Sequence, residues 1–396
     1  MSIDVNTADS EVVSDGSPVG SSSLARLRAT FREHLYMPDP ALVDFTVAVA
    51  VANRLGGDPL WAFVVAPPSH GKTETVQALT GLEEGHSISA LTENTLLSGA
   101  KDTAAGRSAS LLLRLPPNAL LILKDFTTIL SMREDARGAI LSQFREVYDG
   151  SLVKETGMGR TLAWSGRVGF IAGVTPAIDA HHSVISILGE RFVYFRVPQV
   201  SRKDLGARAL RPRQEAAMRA ALKDAVSEFV AGLDLIMPDM PEYVFDRLVN
   251  VADIVTWARS GVQRDRYTRD IEVAPSPEAP SRFVQQLGQL WRALTIMGHE
   301  DPLGLVCRVA LDSMPPARAV ALAKLATAGI VSSTDLRKVT RLSQSSSRRV
   351  LEDLEALRLT EIVEHGGAGT PSKWALTTDG LLTWQEGFGD SLPQLQ

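Results

Sequence analysis

Leu60-Trp61-Ala62-Phe63-Val64-Val65-Ala66-Pro67-Pro68-Ser69-His70-Gly71-Lys72-Thr73 is the stretch that sets the fold. Its first six residues form a short apolar run of the kind found in a parallel strand buried on both faces. A polar turn follows, then a helix from about Lys72 to Leu82. Downstream, two further apolar runs, Ala119 to Leu123 and Val168 to Val174, recur with helical segments between them. Strands alternating with helices predict an α/β domain with a mostly parallel sheet. Upstream, Pro40 to Leu55 is apolar at helical spacing and stops at Gly56-Gly57.

The turn carries the chemistry. In a strand–loop–helix of this composition, a Walker A context, backbone N–H groups and the helix start hold phosphate oxygens. Lys72 then neutralises the β- and γ-phosphates and the Thr73 hydroxyl binds Mg²⁺, so ATP and Mg²⁺ are the expected cofactors. The nucleotide-binding set is Ala66, Pro67, Pro68, Ser69, His70, Gly71, Lys72 and Thr73. Ala66 stands where the pattern wants glycine, and a positive φ there would disfavour alanine. Ala119-Leu120-Leu121-Ile122-Leu123-Lys124-Asp125 ends a strand in a carboxylate, which places Asp125 on the metal directly or through water. The usual second carboxylate is missing, because Phe126-Thr127-Thr128 follows. Glu134 is near in sequence, but its period suits an exposed helix face. Thr175 ends the third strand, where it would touch the γ-phosphate or the attacking water. Arg191 lies between a helix and an apolar run and is a candidate finger acting on a neighbouring subunit's nucleotide. The alternative for Arg191 is a surface pair with Glu190.

The chain has 396 residues, enough for two or three domains. With 44% hydrophobic and 22% charged residues it has the make-up of a globular protein with a core. The balance of 41 Lys+Arg against 46 Asp+Glu, −5 overall, excludes a uniformly basic nucleic-acid coat but not a local basic face. One cysteine, Cys307, excludes an internal disulfide or thiolate cluster and points to a reducing, cytoplasmic setting. His181-His182 lacks further ligands at metal-site spacing. No apolar stretch approaches bilayer length, so no membrane partner is expected; Ala41 to Leu55 is short and carries Asp44.

Four segments follow. Residues 1–24 read as an acidic, Ser/Gly-rich disordered tail, and 25–200 as the α/β domain. Residues 201–312 read as a helical subdomain, with Lys203–Met237, Pro241–Ser260 and Ser281–Met297 helical by period. Residues 313–396 contain Ala317–Ala328, Thr334–Thr340 and Ser343–Leu357 as helices. Thr360–Glu364 and Lys373–Leu376 then read as strands around Gly366-Gly367-Ala368-Gly369. Three helices and a β-wing make a winged helix-turn-helix. Its recognition helix would begin at Ser343 and present Gln344, Ser346, Arg348 and Arg349 to DNA. Arg318, Lys324, Arg337, Lys338, Arg341, Arg348 and Arg349 form a local positive excess against Asp335. A protein-packing role for the module is the alternative.

With these residues in view, the chain resembles AAA+ P-loop ATPases, nearest to the clade with a hairpin before the sensor strand, which includes the minichromosome maintenance helicases. Residues Ala66 to Thr73 are similar to that family's GPPGxGKT loop except at Ala66, Ser69 and His70. Lys124-Asp125-Phe126 resembles its Asp-Glu-Phe, which would make Asp125 the base rather than the metal ligand. Both assignments stay open at this point. Ser151 to Arg167, tipped by Gly157-Met158-Gly159-Arg160, resembles the hairpin inserted into the central channel, which implies that Lys154 and Arg160 face DNA. The resemblance also implies Thr175 as sensor 1, Arg191 of Glu190-Arg191-Phe192 as the finger, and Arg282 of Pro280-Ser281-Arg282-Phe283 as the sensor 2 arginine of a helical lid.

The implied function is an ATP-hydrolysing motor on DNA, helicase-like or acting in replication initiation. It implies a homo-oligomeric, hexamer-like ring and replication proteins as partners. The alternative is an ATP-gated DNA-binding regulator or helicase loader with weak turnover, which the missing acid and Lys124 favour.

Overall fold

The computed structural model describes residues 19–100, 108–156, 159–182, 191–210, 214–274, 276–367 and 369–389. Most of the expected N-terminal tail, the hairpin residues Gly157 and Met158, and Glu190 lie outside the described residues.

Five parallel strands make the central sheet: β1 (Trp61–Val65), β2 (Gly85–Ile88), β3 (Leu120–Leu123), β6 (Gly169–Val174) and β7 (Phe192–Arg196). Their order is β2-β3-β6-β1-β7, so β6 separates β1 from β3. Alternate residues serve two buried layers, which is why the runs read as continuously apolar. Ala62, Val64, Leu120, Ile122, Ile171, Val193 and Phe195 join the core shared with α1 (Val19–His34) and α2 (Ala41–Arg54). Trp61, Phe63, Leu121, Phe170, Phe192 and Tyr194 face the other way, under α4 (Thr127–Leu130) and α5 (Glu134–Tyr148). That second layer is aromatic: Phe63 stacks on Phe192 at 4.1 Å, and Trp61 meets Phe144 and Tyr148 edge-on.

Asp44, the one acidic residue in apolar α2, is buried and accepts from Arg28 Nε (2.8 Å) and Nη2 (3.0 Å). Arg28 also holds Glu300, so the ion pair ties α1 to α2 and to the distant 299–301 turn. Removing one partner of such a buried pair costs about 3–5 kcal/mol. Among the described residues, no helix is long and apolar enough to cross a membrane.

Between α5 and β6 the chain makes an antiparallel hairpin, β4 (Ser151–Glu155) and β5 (Thr161–Ser165), where the family resemblance implied one. After β7 come α6 (Arg202–Ala209), α7 (Glu215–Ala231), α8 (Glu242–Arg259), the short hairpin β8 (Gln263–Arg264)–β9 (Ile271–Val273), α9 (Ser281–Ile296) and α10 (Pro302–Asp312). The helical run expected over Lys203–Met237 is two helices, and the second ends at Ala231, capped by Gly232. The β8–β9 hairpin has too few residues to show a period and was not anticipated.

The C-terminal region runs α11 (Pro316–Ala328), β10 (Ile330–Ser332), α12 (Ser333–Thr340), α13 (Gln344–Ala356), β11 (Thr360–Glu364), β12 (Lys373–Leu376) and α14 (Thr378–Phe388). Its three strands pair antiparallel in the order β10-β12-β11, one strand more than the two expected. Ser332 and Asp335 form a capping box at α12, and Ser343 caps α13 by accepting from the Ser346 amide. The expected boundary at 312/313 is not a break in the core. Leu351, Leu354, Trp384 and Phe388 share one buried cluster with Leu248 and Val251 of α8, and Arg247 donates to the Gly387 and Phe388 carbonyls.

Candidate functional site

The carboxyl ends of β1, β6 and β3 lie side by side, and each strand delivers one of the residues singled out above. From β1 the chain enters the loop with Ala66 buried and its amide donating to Val174 O (3.0 Å). Among the described residues the left-handed positions of the loop are Ser69 (φ 66°) and Gly71 (φ 77°), and Ala66 is not one. The concern that alanine is strained at 66 is therefore misplaced. The unusual residue is Ser69, held at a φ that non-glycine residues seldom adopt. Pro67 is half-buried, Pro68 is exposed, and His70 Nδ1 lies 2.9 Å from Pro68 O.

Gly71 turns the chain into α3 (Lys72–Ala78). Lys72 folds back over the loop, buried, with Nζ donating to Ala66 O (3.1 Å) and Pro67 O (3.4 Å). Burial pushes its pKa down, and the charge of Asp125 pulls the other way. A buried ammonium whose hydrogen bonds among the described residues go to neutral carbonyls is short of negative charge. A phosphate at the loop would supply it, so the residues fit a nucleotide. Thr73 is exposed at the helix start.

Asp125 follows β3 and is half-buried. Its Oδ1 accepts from the Thr127 amide (2.9 Å), a local turn that fixes the carboxylate. Thr127 Oγ1 in turn lies 3.3 Å from both Thr175 Oγ1 and the Thr175 amide, joining β3's end to β6's. Thr127 is a residue that the sequence reading missed; an Asp followed by a hydroxyl residue two positions on was the available signal. Lys124 is exposed. Gly173 is needed between the two strands, because a Cβ there would meet Lys124 O at 2.8 Å and the Lys72 side chain at 3.5 Å.

A cavity of about 390 Å³ adjoins the loop at His70, walled by Tyr36, Met37, Asp39, Leu42, Val197 and Pro198. Its apolar walls and size suit a flat heterocycle. No local pattern marks it, since the walls come from two segments far apart in the chain.

Arg191 and Arg282 sit elsewhere. Phe192 is level with Trp61 at the start of β1, so Arg191 lies at the amino edge of the sheet, roughly 15 Å of strand away from the loop. It is buried, donates to Asp149 Oδ2 (2.8 Å) and Oδ1 (3.1 Å), and lies 5.5 Å from the Tyr148 ring centroid. Arg282, paired with Glu278, is 5.9 Å from the same ring. The two arginines therefore share one edge of the molecule, opposite to Lys72.

The expected DNA contacts divide. Lys154 Nζ is held inward by Glu93 O (2.9 Å), Asn94 Oδ1 (2.7 Å) and Leu97 O (3.1 Å). In the described conformation its ammonium fastens the hairpin to the 93–97 loop. Arg160 is exposed beside the tip. Gln344 Nε2 donates to Ser333 Oγ (2.7 Å) and Thr334 Oγ1 (3.1 Å), and Ser346 Oγ accepts from the Ser343 hydroxyl. Arg348 and Arg349 are exposed, with Arg348 Nε donating to Glu352 (2.7 Å). Arg318, counted in the basic excess, is buried and donates to Ala258 O, Ser260 O and Asp353. It caps α8 rather than facing solvent. Among the described residues no cluster of three or more His, Cys, Asp or Glu is placed to hold a metal ion by itself. In comparisons with known proteins, no family model and no curated protein matches this chain.

Proposed function

We propose that this chain is an ATP-binding protein of the AAA+ type that hydrolyses the nucleotide and acts on DNA. The observation that carries the reading is the convergence of Lys72, Asp125 and Thr175 at the carboxyl ends of three adjacent parallel strands. Open α/β sheets bind their ligands outside those ends. Lys72 and the loop amides would hold the β- and γ-phosphates, and Thr73 with Asp125 the Mg²⁺. The bound complex supplies an electrophilic γ-phosphoryl group. Lys72 contributes a cation already largely stripped of water, so its field acts at low dielectric. Asp125, fixed by the Thr127 amide, is held either to bind the metal or to take a proton from water. Thr175, anchored by Thr127, orients what lies between the strands.

Arg191 and Arg282, at the far edge, support assembly, because only a neighbouring copy's nucleotide lies within their reach. For Arg191 this requires exchange of Asp149 for phosphate. A homo-oligomeric ring is the arrangement that supplies such a neighbour at every site. The antiparallel hairpin before β6 and the α11–α13 and three-stranded module, read as a winged helix, are the DNA-contacting parts, through Arg160, Arg348 and Arg349. The setting is cytoplasmic, with replication proteins as partners.

A second reading, an ATP-gated DNA-binding regulator or loader with weak turnover, has its own support. Lys124 stands exposed beside Asp125, which has no second acid next to it in the chain, and Lys154 is turned away from the hairpin's outer face. Steady-state ATP hydrolysis with and without single- and double-stranded DNA separates the two. The motor reading expects stimulation of about tenfold or more by DNA, lost in Asp125→Asn. Tight ATP binding with negligible turnover under every condition would replace it with the regulator.

A further inference from the structure

The outward face of α13, on which Ser345, Arg348 and Arg349 stay exposed, is flanked by a strap from the helical region. Residues Ser345, Arg348, Arg349, Glu352 and Ala356 fall on one side of the helix, opposite the core residues Ser347, Leu351 and Leu354. That side forms one wall of a cleft of about 600 Å³, and the other wall is the β8–β9 hairpin, through Arg264, Thr268, Arg269 and Ile271. Arg264 clamps the two walls. It donates to Asp353 Oδ1 from Nε (2.9 Å) and Nη2 (2.7 Å), to Glu352 Oε2 (3.3 Å) and to the Arg349 carbonyl (3.1 Å). Its Nη1 donates to Arg269 O (2.7 Å), which holds the hairpin's own turn in place. Glu352 is shared between Arg264 and Arg348, so the same cluster offsets a charge meant for phosphate.

A helix reads duplex DNA by laying its exposed face in a major groove about 12 Å wide. A β-hairpin fixed along that face stands where the groove walls must pass. We propose that the β8–β9 hairpin is an autoinhibitory strap, latched by Arg264, that must swing away before α13 docks on duplex DNA. This rests on the reading of the module as DNA-binding. The strap lowers apparent affinity by the fraction of molecules in which it is open. It belongs to the helical region that the nucleotide-binding domain carries, so nucleotide state has a route to it.

The test is duplex binding by the full chain, measured by anisotropy of a fluorescein-labelled duplex of random sequence. Arg264→Ala is expected to bind about tenfold tighter than wild type, because the latch no longer holds the closed state. A second variant, with residues 266–270 replaced by Gly-Gly, removes the turn while leaving Arg264, and is expected to show the same gain. Adding Arg348→Ala and Arg349→Ala to either is expected to abolish the gain. Equal affinity of wild type and both variants would overturn the strap while leaving DNA binding in place. Weaker binding would make the hairpin part of the DNA surface and overturn it as well. No duplex binding by any of these proteins would remove the DNA reading of the module, and the strap with it.

Discussion

The carboxyl edge of the sheet and the C-terminal module were both read from charged residues in sequence, but the fold treats the two sets differently. At the carboxyl ends of the strands, Lys72 is buried against neutral carbonyls, with no carboxylate among the described residues in hydrogen-bond contact, so its charge is available to a ligand. In the module and the β4–β5 hairpin, some of the cations counted toward DNA already have internal partners. Arg318 caps α8, Lys154 pins a loop, and Arg348 shares Glu352 with Arg264. A strand end fixes where a side chain must point, whereas a count of basic residues in a window does not say which of them reach solvent.

Three substitutions sharpen that contrast. Gly173→Ala puts a methyl group against Lys124 O and the Lys72 stem, forcing β6 and β3 apart where the site closes. Overpacking of this kind destabilises by about 1–3 kcal/mol, and ATP hydrolysis should fall about a hundredfold as Lys72 and Asp125 lose registration. Thermal melts and steady-state rates would report both effects; wild-type turnover in Gly173→Ala would break the claim that the three strand ends act together. The smaller effect lies in the hairpin. Arg160→Ala should weaken single-stranded DNA binding a few-fold with little change in stability. Lys154→Ala should do the reverse, lowering the melting temperature by a few degrees with DNA affinity nearly unchanged. If Lys154→Ala instead lost DNA binding with its melting temperature intact, the inward contacts would not be what this lysine is for.

Much of the fold was legible because short apolar runs ending in polar turns leave few choices. Trp61–Val65, Leu120–Leu123 and Gly169–Val174 fall inside the three runs picked out, and the β4–β5 hairpin falls in the segment where the family resemblance implied one. Strand β7 is the apolar run noted after Arg191, whereas β2 was not visible. β2 is an edge strand, half-exposed and carrying His86 and Ser87, so no apolar run marks it. The β8–β9 hairpin and β10 are two to three residues long, below any periodic signal. The meeting of Lys72, Asp125 and Thr175 at adjoining strand ends was legible because each stands at a strand end or turn. Thr127's bridging role, the Asp149–Arg191 pair and the cavity at Tyr36 and Val197 depend on contacts between distant segments, which no local pattern encodes. Ala66 taught the opposite lesson, since a motif position was assumed to need a positive φ that the chain places at Ser69 and Gly71 instead.

Calorimetric titration of Mg-ATP into the full chain, and into Lys72→Ala, tests the central claim most directly. Wild type is expected to bind in the micromolar range, and Lys72→Ala to lose at least about a hundredfold, near 3 kcal/mol, while keeping its melting temperature. Equal binding by the two proteins, or none by the wild type, would contradict a nucleotide site at the carboxyl edge of this sheet.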